Sequence, residues 1–185
     1  MADAKACAGR VERLRALMAE RGYDAVILRN NPDLRWLTGA ERTFDDEVAH
    51  TAFVTADGQW LHTDSRYANT FRERLGADTP WVIDEEIVSA AAWAAERARA
   101  TRSRVVAVED TCDLAFFDAF NQAMGELSIA CLTPRMHGDI CDLRMVKDAE
   151  EVELMRHAQS ITDAAFTHIC GFIKPGMTEQ EIRVE

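Results

Sequence analysis

Apolar residues recur every three or four positions from Arg10 to Arg21, and this spacing predicts an amphipathic helix. A short apolar run follows from Asp24 to Arg29 and predicts a buried strand. Two β-rich runs, Thr51 to Thr55 and Gln59 to Thr63, flank an Asp-Gly pair. Such a pair between β-rich runs is typical of a β-hairpin.

Helical and strand patterns continue to alternate up to Pro134. The predicted helices start near Pro32, Arg66, Val88 and Leu114, and the predicted strands cover Trp81 to Ile83, Arg104 to Val108 and Leu127 to Leu132. Alternation of this kind predicts an α/β fold, a β-sheet flanked by helices. The hairpin makes the sheet mixed rather than wholly parallel. We expect this domain to span residues 1–134.

The pattern changes after Pro134. We expect residues 135–147 to be a linker, and the apolar spacing from Asp148 to Ile173 predicts one long amphipathic helix. Thr178 and Glu181 form a capping box for a further helix, which has no stop signal before Glu185. We therefore expect residues 148–185 to be the first helices of a truncated second domain, and the chain to be a fragment of a longer protein.

Charge narrows the possible partners. The chain has 21 Lys and Arg against 32 Asp and Glu, a net charge of −11. This negative charge argues against nucleic-acid binding and against anionic membrane surfaces.

The five cysteines are odd in number and scattered, which favours free thiols in a reducing compartment. Because the amino terminus lacks an apolar signal-peptide core, we predict a cytoplasmic location.

Four motifs occur in a fixed order along the chain. They are N-P-D-L-R-W-L-T-G at Asn31 to Gly39, T-D-S-R-Y at Thr63 to Tyr67, L-R-M-V-K-D-A-E-E-V at Leu143 to Val152, and K-P-G-M-T-E at Lys174 to Glu179. Together they resemble the superfamily of aminopeptidase P, Xaa-Pro dipeptidase (prolidase) and creatinase.

The resemblance implies a creatinase-type amino-terminal domain of ribonuclease H-like architecture, followed by the first helices of a pita-bread catalytic domain. Peptidases of this family cleave the bond before proline in short peptides, and they use two divalent ions (Mn²⁺, Co²⁺ or Zn²⁺). Their ligands lie further along the catalytic domain. The resemblance therefore implies no catalytic residue, no metal ligand and no activity in this chain alone. It also implies a homodimer in which this domain shields the active site.

Candidate substrate-contacting residues lie in the segment from Glu41 to Val48, just after the first motif. We predict that this segment lines the substrate entrance, since loops carry specificity more often than the elements they connect. Phe44 offers an apolar contact there, and Asp45 or Asp46 offers a negative charge for the free amino group of a peptide. Together with Glu47 and His50, these aspartates also resemble a metal site, but a solvated loop is the favoured interpretation.

Two further groups are predicted to be structural. Asp64 precedes a predicted helix and is placed to cap it, with Arg66 and Tyr67 in its first turn. Arg144 and Lys147 are expected to mark the junction between the two domains.

Three alternatives remain open at this stage. The longer protein could be a creatinase-like amidinohydrolase, or the chain could be a stand-alone interaction module. A nuclease that uses clustered carboxylates is the third, and the net negative charge argues against it.

Overall fold

The computed structural model describes residues 4–40, 43–44 and 47–185. It contains two compact units, Met1–Val146 and Lys147–Glu185. The helices of the first unit are α1 (Ala4–Arg21), α2 (Asn31–Thr38), α3 (Ser65–Leu75), α4 (Ala90–Thr101), α5 (Leu114–Glu126) and α6 (Asp139–Met145). Its strands are β1 (Ala25–Leu28), β2 (Thr51–Thr55), β3 (Gln59–His62), β4 (Val82–Asp84) and β5 (Val106–Val108).

The five strands form one mixed sheet in the order β4-β3-β2-β1-β5. Strand β2 is antiparallel to both β1 and β3, whereas β1 pairs in parallel with β5 and β3 with β4. Four strands therefore run in one direction, and the predicted mixed sheet is confirmed. The β2–β3 hairpin turns at Asp57 and Gly58, where a Cβ on Gly58 would come within 2.1 Å of the Trp60 ring.

Hydrophobic residues cover both faces of the sheet. Alternate residues of β1 face opposite sides, so that Val26 and Leu28 join one apolar cluster and Ile27 joins the other. The first cluster includes Leu14 of α1 and Phe71 of α3, and the second is built largely from α4 and α5. The result is the three-layer α/β arrangement that the sequence pattern predicted.

The strand predicted at Leu127 to Leu132 is wrong. Within this segment Leu132 forms one isolated bridge, to Val105, and a second isolated bridge further on joins Arg135 to Val108. Ser128 has a left-handed φ of 57°, and Pro134 has no N–H to donate to a ladder. The carbonyl groups of Leu132 and Pro134 nevertheless accept hydrogen bonds from Val106 and Val108, both at 2.9 Å, along the outer edge of β5.

The segment predicted as a linker, residues 135–147, is largely part of the α/β unit. It contains α6, and Met136 and Ile140 are buried in the core. Asp139 receives two hydrogen bonds from Arg21, at 2.7 and 3.2 Å. Met136 and Ile140 belong to the same apolar cluster as residues of α1. The first unit therefore extends beyond Pro134 to Val146.

The second unit consists of α7 (Ala149–Phe172) and α8 (Glu179–Val184). Asp148 and Glu151 form a capping box at the start of α7, and Thr178 and Glu181 form another before α8. The long helix and the second capping box agree with the sequence pattern. Among the described residues, no helix combines the length and the apolar character that a membrane crossing needs.

Candidate functional site

The carboxyl ends of four strands meet at one edge of the sheet, because β1, β3, β4 and β5 run in the same direction. Ligands of open α/β sheets usually bind at this edge. The residues directly after these strands are Arg29, Thr63, Glu85 and Glu109. Polar and charged side chains therefore converge here, and we describe this edge as the candidate functional site.

The first group at this edge contains three residues of the T-D-S-R-Y motif. Asp64 is the N-cap of α3, and its Oδ1 accepts a hydrogen bond from the Arg66 N–H at 2.8 Å. The Arg66 guanidinium also donates to Asp64 Oδ2 at 2.7 Å and to both Glu47 carboxylate oxygens at 3.3 Å. Tyr67 donates its hydroxyl to Glu47 Oε2 at 3.5 Å. The hydrogen bond from the Arg66 side chain lowers the pKa of Asp64.

Beneath this group lies an aromatic cluster around His50. The His50 ring is buried and makes edge contacts with Phe44, Tyr67 and Phe71, with ring centroids 4.8–5.3 Å apart. Its Nδ1 lies 2.9 Å from Thr63 Oγ1. The cluster joins the segment before β2 to the first turns of α3.

The structure corrects the role predicted for Phe44. Its side chain is only 6% exposed and packs against His50 and Phe71, so it belongs to the core and presents no apolar surface to a substrate. The burial of neighbouring aromatic rings outweighs the polar character of the sequence around Phe44. Asp45 and Asp46, the other two predicted entrance residues, lie outside the described residues.

Arg29, directly after β1, connects three elements at this edge. Its Nη1 donates to Asp113 Oδ2 at 2.9 Å, its Nε donates to Thr51 Oγ1 at 3.3 Å, and its guanidinium carbon lies 4.2 Å from the Phe116 ring centroid. Asp113 is the N-cap of α5, and the hydrogen bond from the Phe116 N–H lowers its pKa. Arg29 therefore fixes the start of α5 against β1 and β2.

Glu109, directly after β5, is a functional candidate that the sequence analysis missed. It is 3% exposed, and its Oε1 accepts a hydrogen bond from the Arg29 N–H at 2.8 Å. Its Oε2 makes no hydrogen bond of normal geometry among the described residues, although the backbone N–H of Asn30 also acts on the carboxylate and lowers its pKa. Burial raises the pKa of Glu109 to about 7. The sequence did contain a signal for this residue, because Glu109 directly follows the apolar run V-V-A-V of a predicted strand.

Arg144 and Lys147 lie where the first unit ends. Arg144, in α6, donates to Asp33 Oδ1 at 2.6 Å, and Asp33 is 2% exposed near the start of α2. Asn30 donates to the other oxygen of Asp33 at 3.0 Å. Lys147 is the first residue of the second unit. The division into units falls between these two residues, with Arg144 in the first unit and Lys147 in the second, and their role as the domain junction stays a prediction.

The carboxyl edge carries several charged side chains but no described cluster of metal-ligand type. In the described ranges, 4–40, 43–44 and 47–185, no three His, Cys, Asp or Glu side chains are grouped so that they could hold a metal ion. What the edge offers is charged side chains held in fixed positions by helix caps and ion pairs.

Comparison with known proteins gives the family. The model of the Creatinase/Prolidase N-terminal domain matches residues 10–146. The chain belongs to this family. The match ends where the first compact unit ends, at Val146.

Individual relatives and solved structures are also similar to this chain. The chain is 25% identical over 170 residues to the uncharacterized peptidase YqhT of Bacillus subtilis, covering 92% of this chain and 45% of that protein. The Xaa-Pro dipeptidase from Bacillus anthracis has a TM-score of 0.80 at 24% identity, covering 95% of this chain and 46% of that one. An Xaa-Pro aminopeptidase structure from Streptococcus thermophilus matches 75% of this chain with a TM-score of 0.63 at 18% identity and is itself 98% covered. This chain thus spans less than half the length of the first two proteins.

Proposed function

We propose that this chain is the amino-terminal part of a metal-dependent Xaa-Pro peptidase, of the aminopeptidase P or prolidase type. The observation that carries the proposal is the Creatinase/Prolidase N-terminal domain match over residues 10–146. The similarity to an Xaa-Pro dipeptidase over 95% of this chain and 46% of that protein supports it further. The complete protein would hydrolyse the bond before proline in short peptides, in the cytoplasm.

In this proposal the chain contributes dimerisation and active-site shielding rather than chemistry. The two divalent ions (Mn²⁺, Co²⁺ or Zn²⁺) would supply a Lewis acid and a bound hydroxide in the complete protein. The described residues do not fit such a pair, because no three potential ligands are grouped together. We therefore assign no metal ligand among the described residues and propose that the ions are bound by a catalytic domain outside this chain.

The chain can be tested for activity as it stands. Purified residues 1–185 should release no product from Xaa-Pro dipeptides or longer Xaa-Pro peptides, with or without added Mn²⁺ or Co²⁺. Elemental analysis should find far less than one transition metal per chain. Stoichiometric metal, or turnover that a chelator abolishes, would contradict the assignment.

The reading frame beyond Glu185 separates the alternatives. The proposal expects it to remain open for about as long again, since the chain covers 45% of YqhT. The longer product should cleave Xaa-Pro peptides and lose this activity with a chelator. Release of urea from creatine would instead favour a creatinase-like amidinohydrolase, and a stop codon shortly after Glu185 would favour a stand-alone interaction module.

The substrate-entrance hypothesis now depends on Asp45 and Asp46. Replacing both with Asn in the longer protein should raise KM for peptides with a free amino terminus while leaving kcat nearly unchanged. The matched control is Glu73→Gln, on the exposed surface of α3. Identical kinetics across a panel of free and acetylated peptides would reject the hypothesis.

A further inference from the structure

The motif at residues 31–39 forms α2 and has no assigned role in the proposed function. Asp33 and Trp36 lie three positions apart in this helix, so their side chains are neighbours on one side of it. Both residues are buried. Each of them contacts an arginine of another helix, Arg144 of α6 and Arg13 of α1.

Two arginines of α1 contact Trp36. Arg10 is itself buried, and its Nη1 donates a hydrogen bond to the Trp36 carbonyl oxygen at 3.0 Å. The guanidinium carbon of Arg13 lies over the Trp36 ring, 5.2 Å from its centroid. A guanidinium at this distance is attracted to the face of an indole ring. The ring therefore helps to hold the Arg13 side chain in place.

The Arg13 guanidinium also reaches the last residue of the first unit. Its Nη1 donates a hydrogen bond to the Val146 carbonyl oxygen at 3.3 Å. Two residues before Val146, Arg144 donates to Asp33 Oδ1 at 2.6 Å. Through Arg13 and Arg144, the end of the first unit is thus connected to two residues of one motif.

Apolar burial does not hold this end of the unit. Leu143 is the last described apolar residue that packs against the core, and Met145 and Val146 are each more than half exposed. A segment with few buried apolar contacts detaches readily unless other contacts hold it. The hydrogen bonds from Arg13 and Arg144 are contacts of that kind.

We propose that Arg13, Asp33, Trp36 and Arg144 form a junction clamp, which fixes the point at which the chain leaves the first unit. The junction clamp gives the motif at residues 31–39 a role in domain connection. In the longer protein the clamp would fix where the catalytic domain begins, and this part rests on the proposed function. The clamp itself lies within the first unit and can be measured in the chain of 185 residues.

The lysines of the chain allow a direct test. They are Lys5, Lys147 and Lys174, and Lys174 is followed by Pro175, which blocks cleavage by endoproteinase Lys-C. The enzyme therefore has one cleavable site away from the amino terminus, after Lys147. A protease acts on a transiently opened segment, so the cleavage rate of the folded chain reports how often the residues around Lys147 detach.

Arg13→Met is the deciding variant. Methionine keeps an apolar side chain beside Trp36 and removes the donor to Val146. Cleavage after Lys147 should become faster by about three- to tenfold, the factor that the loss of one hydrogen bond implies. Asp33→Asn removes the charge that pairs with Arg144 and should also accelerate cleavage.

Urea separates local detachment from global unfolding. Below the unfolding transition, a rate set by local detachment changes little with urea, whereas a rate set by global unfolding rises steeply because much more surface is exposed. The accelerated rate of Arg13→Met should show the weak dependence.

Arg99→Met is the matched control, because it makes the same change at an exposed position of α4. It should be cleaved at the native rate. A native rate in Arg13→Met would overturn the junction clamp, and so would an acceleration that Arg99→Met shares or that rises steeply with urea. Asp33→Asn is not needed for this decision if it fails to fold. The experiment contains no peptidase assay, so its failure would leave the proposed function untouched.

Discussion

Arg144 donates a hydrogen bond to Asp33 at 2.6 Å and so connects α6 to the beginning of α2. The Asp33 side chain is 4% exposed and that of Arg144 is 34% exposed. Removing the cation would leave a buried carboxylate that keeps the hydrogen bond from the Asn30 amide but has lost its counter-charge. We predict that Arg144→Ala lowers the free energy of unfolding by about 2–3 kcal/mol.

Urea denaturation of the native chain and the variant measures this difference. The control is Arg99→Ala, which removes an exposed ion pair with Glu96 and should change stability by less than about 0.5 kcal/mol. Adding Asp33→Asn to Arg144→Ala should restore part of the loss, because the buried charge is then absent. Equal, small effects for Arg144→Ala and Arg99→Ala would contradict the prediction.

Glu109 should make stability depend on pH near neutrality. Its pKa is raised from 4.5 to about 7 by burial, so between these values the folded state holds a proton that the unfolded state has lost. The contribution is complete below pH 4.5 and is lost as the pH rises through 7, which lowers the free energy of unfolding by about 3 kcal/mol in total.

Denaturation curves at pH 5, 6, 7 and 8 test this slope. In Glu109→Gln, the free energy of unfolding should no longer fall between pH 5 and pH 7. In the control Glu73→Gln, it should fall as it does in the native chain. A profile for Glu109→Gln that is parallel to that of the native chain would show that another group causes the decline.

The domain boundary can be tested by truncation. A chain that ends at Val146 should unfold cooperatively, because it keeps Met136 and Ile140 in the core. A chain that ends at Pro134 loses both side chains and the ion pair between Arg21 and Asp139. Burial of each side chain contributes about 1.5–3 kcal/mol, so the shorter chain should have a much lower Tm or no transition. Equal melting of the two chains would place the boundary at Pro134.

The N-cap at Asp64 predicts a specific order among substitutions. Asp64→Ala removes the acceptor for the Arg66 N–H and should lower stability by about 1 kcal/mol. Asp64→Asn and Asp64→Ser retain a capping oxygen and should lose only a few tenths of this amount. Thermal unfolding of the three variants gives the order, and an Asn variant as unstable as the Ala variant would show that charge matters more than capping.

The apolar side of α7 predicts self-association. No residue of this helix is buried, and Met155, Ile161 and Phe166 are each more than half exposed. An apolar patch of this kind usually finds a partner, and a two-fold pair is the most common arrangement. Light scattering should give twice the mass of 20.7 kDa at micromolar concentration.

The chain that ends at Val146 serves as the comparison for this association. If α7 holds the dimer, this shorter chain should be a monomer. If the α/β unit provides the contact, the shorter chain should remain a dimer. A monodisperse monomer for the full chain at high concentration would contradict the prediction.

The sequence correctly predicts the elements whose signals lie within a few neighbouring residues. The β2–β3 hairpin follows from Asp57 and Gly58, and the start of α7 follows from Asp148 with Glu151 three residues later. These signals depend on neighbours within a few residues, so one sequence is enough to recognise them. The resemblance to the prolidase family was likewise carried by short motifs and is confirmed by the family match.

Features that depend on distant residues were not predictable in the same way. Residues 135–147 are predicted to be a linker, but Met136 and Ile140 are buried in the core and α6 lies beside α1, which only the folded chain shows. Phe44 lies in a polar stretch, and its burial depends on Phe71 and His50. Glu109 becomes notable only once β5 lies beside β1, which brings it to the Arg29 N–H.

The strand order also has a consequence for synthesis on the ribosome. Strand β1 is made early, but its parallel partner β5 appears only at Val106–Val108, about eighty residues later. Until then a nascent chain can pair β1 with β2 on one side only, leaving the apolar Ala25–Leu28 edge open on the other. The Asp24 carboxylate accepts hydrogen bonds from the N–H groups of Arg104 and Val105 in the folded chain. It lacks these two donors until that segment has been synthesised. The sheet therefore closes late in translation, and the interval before it closes is when this chain is most exposed to mispairing or to capture by a chaperone.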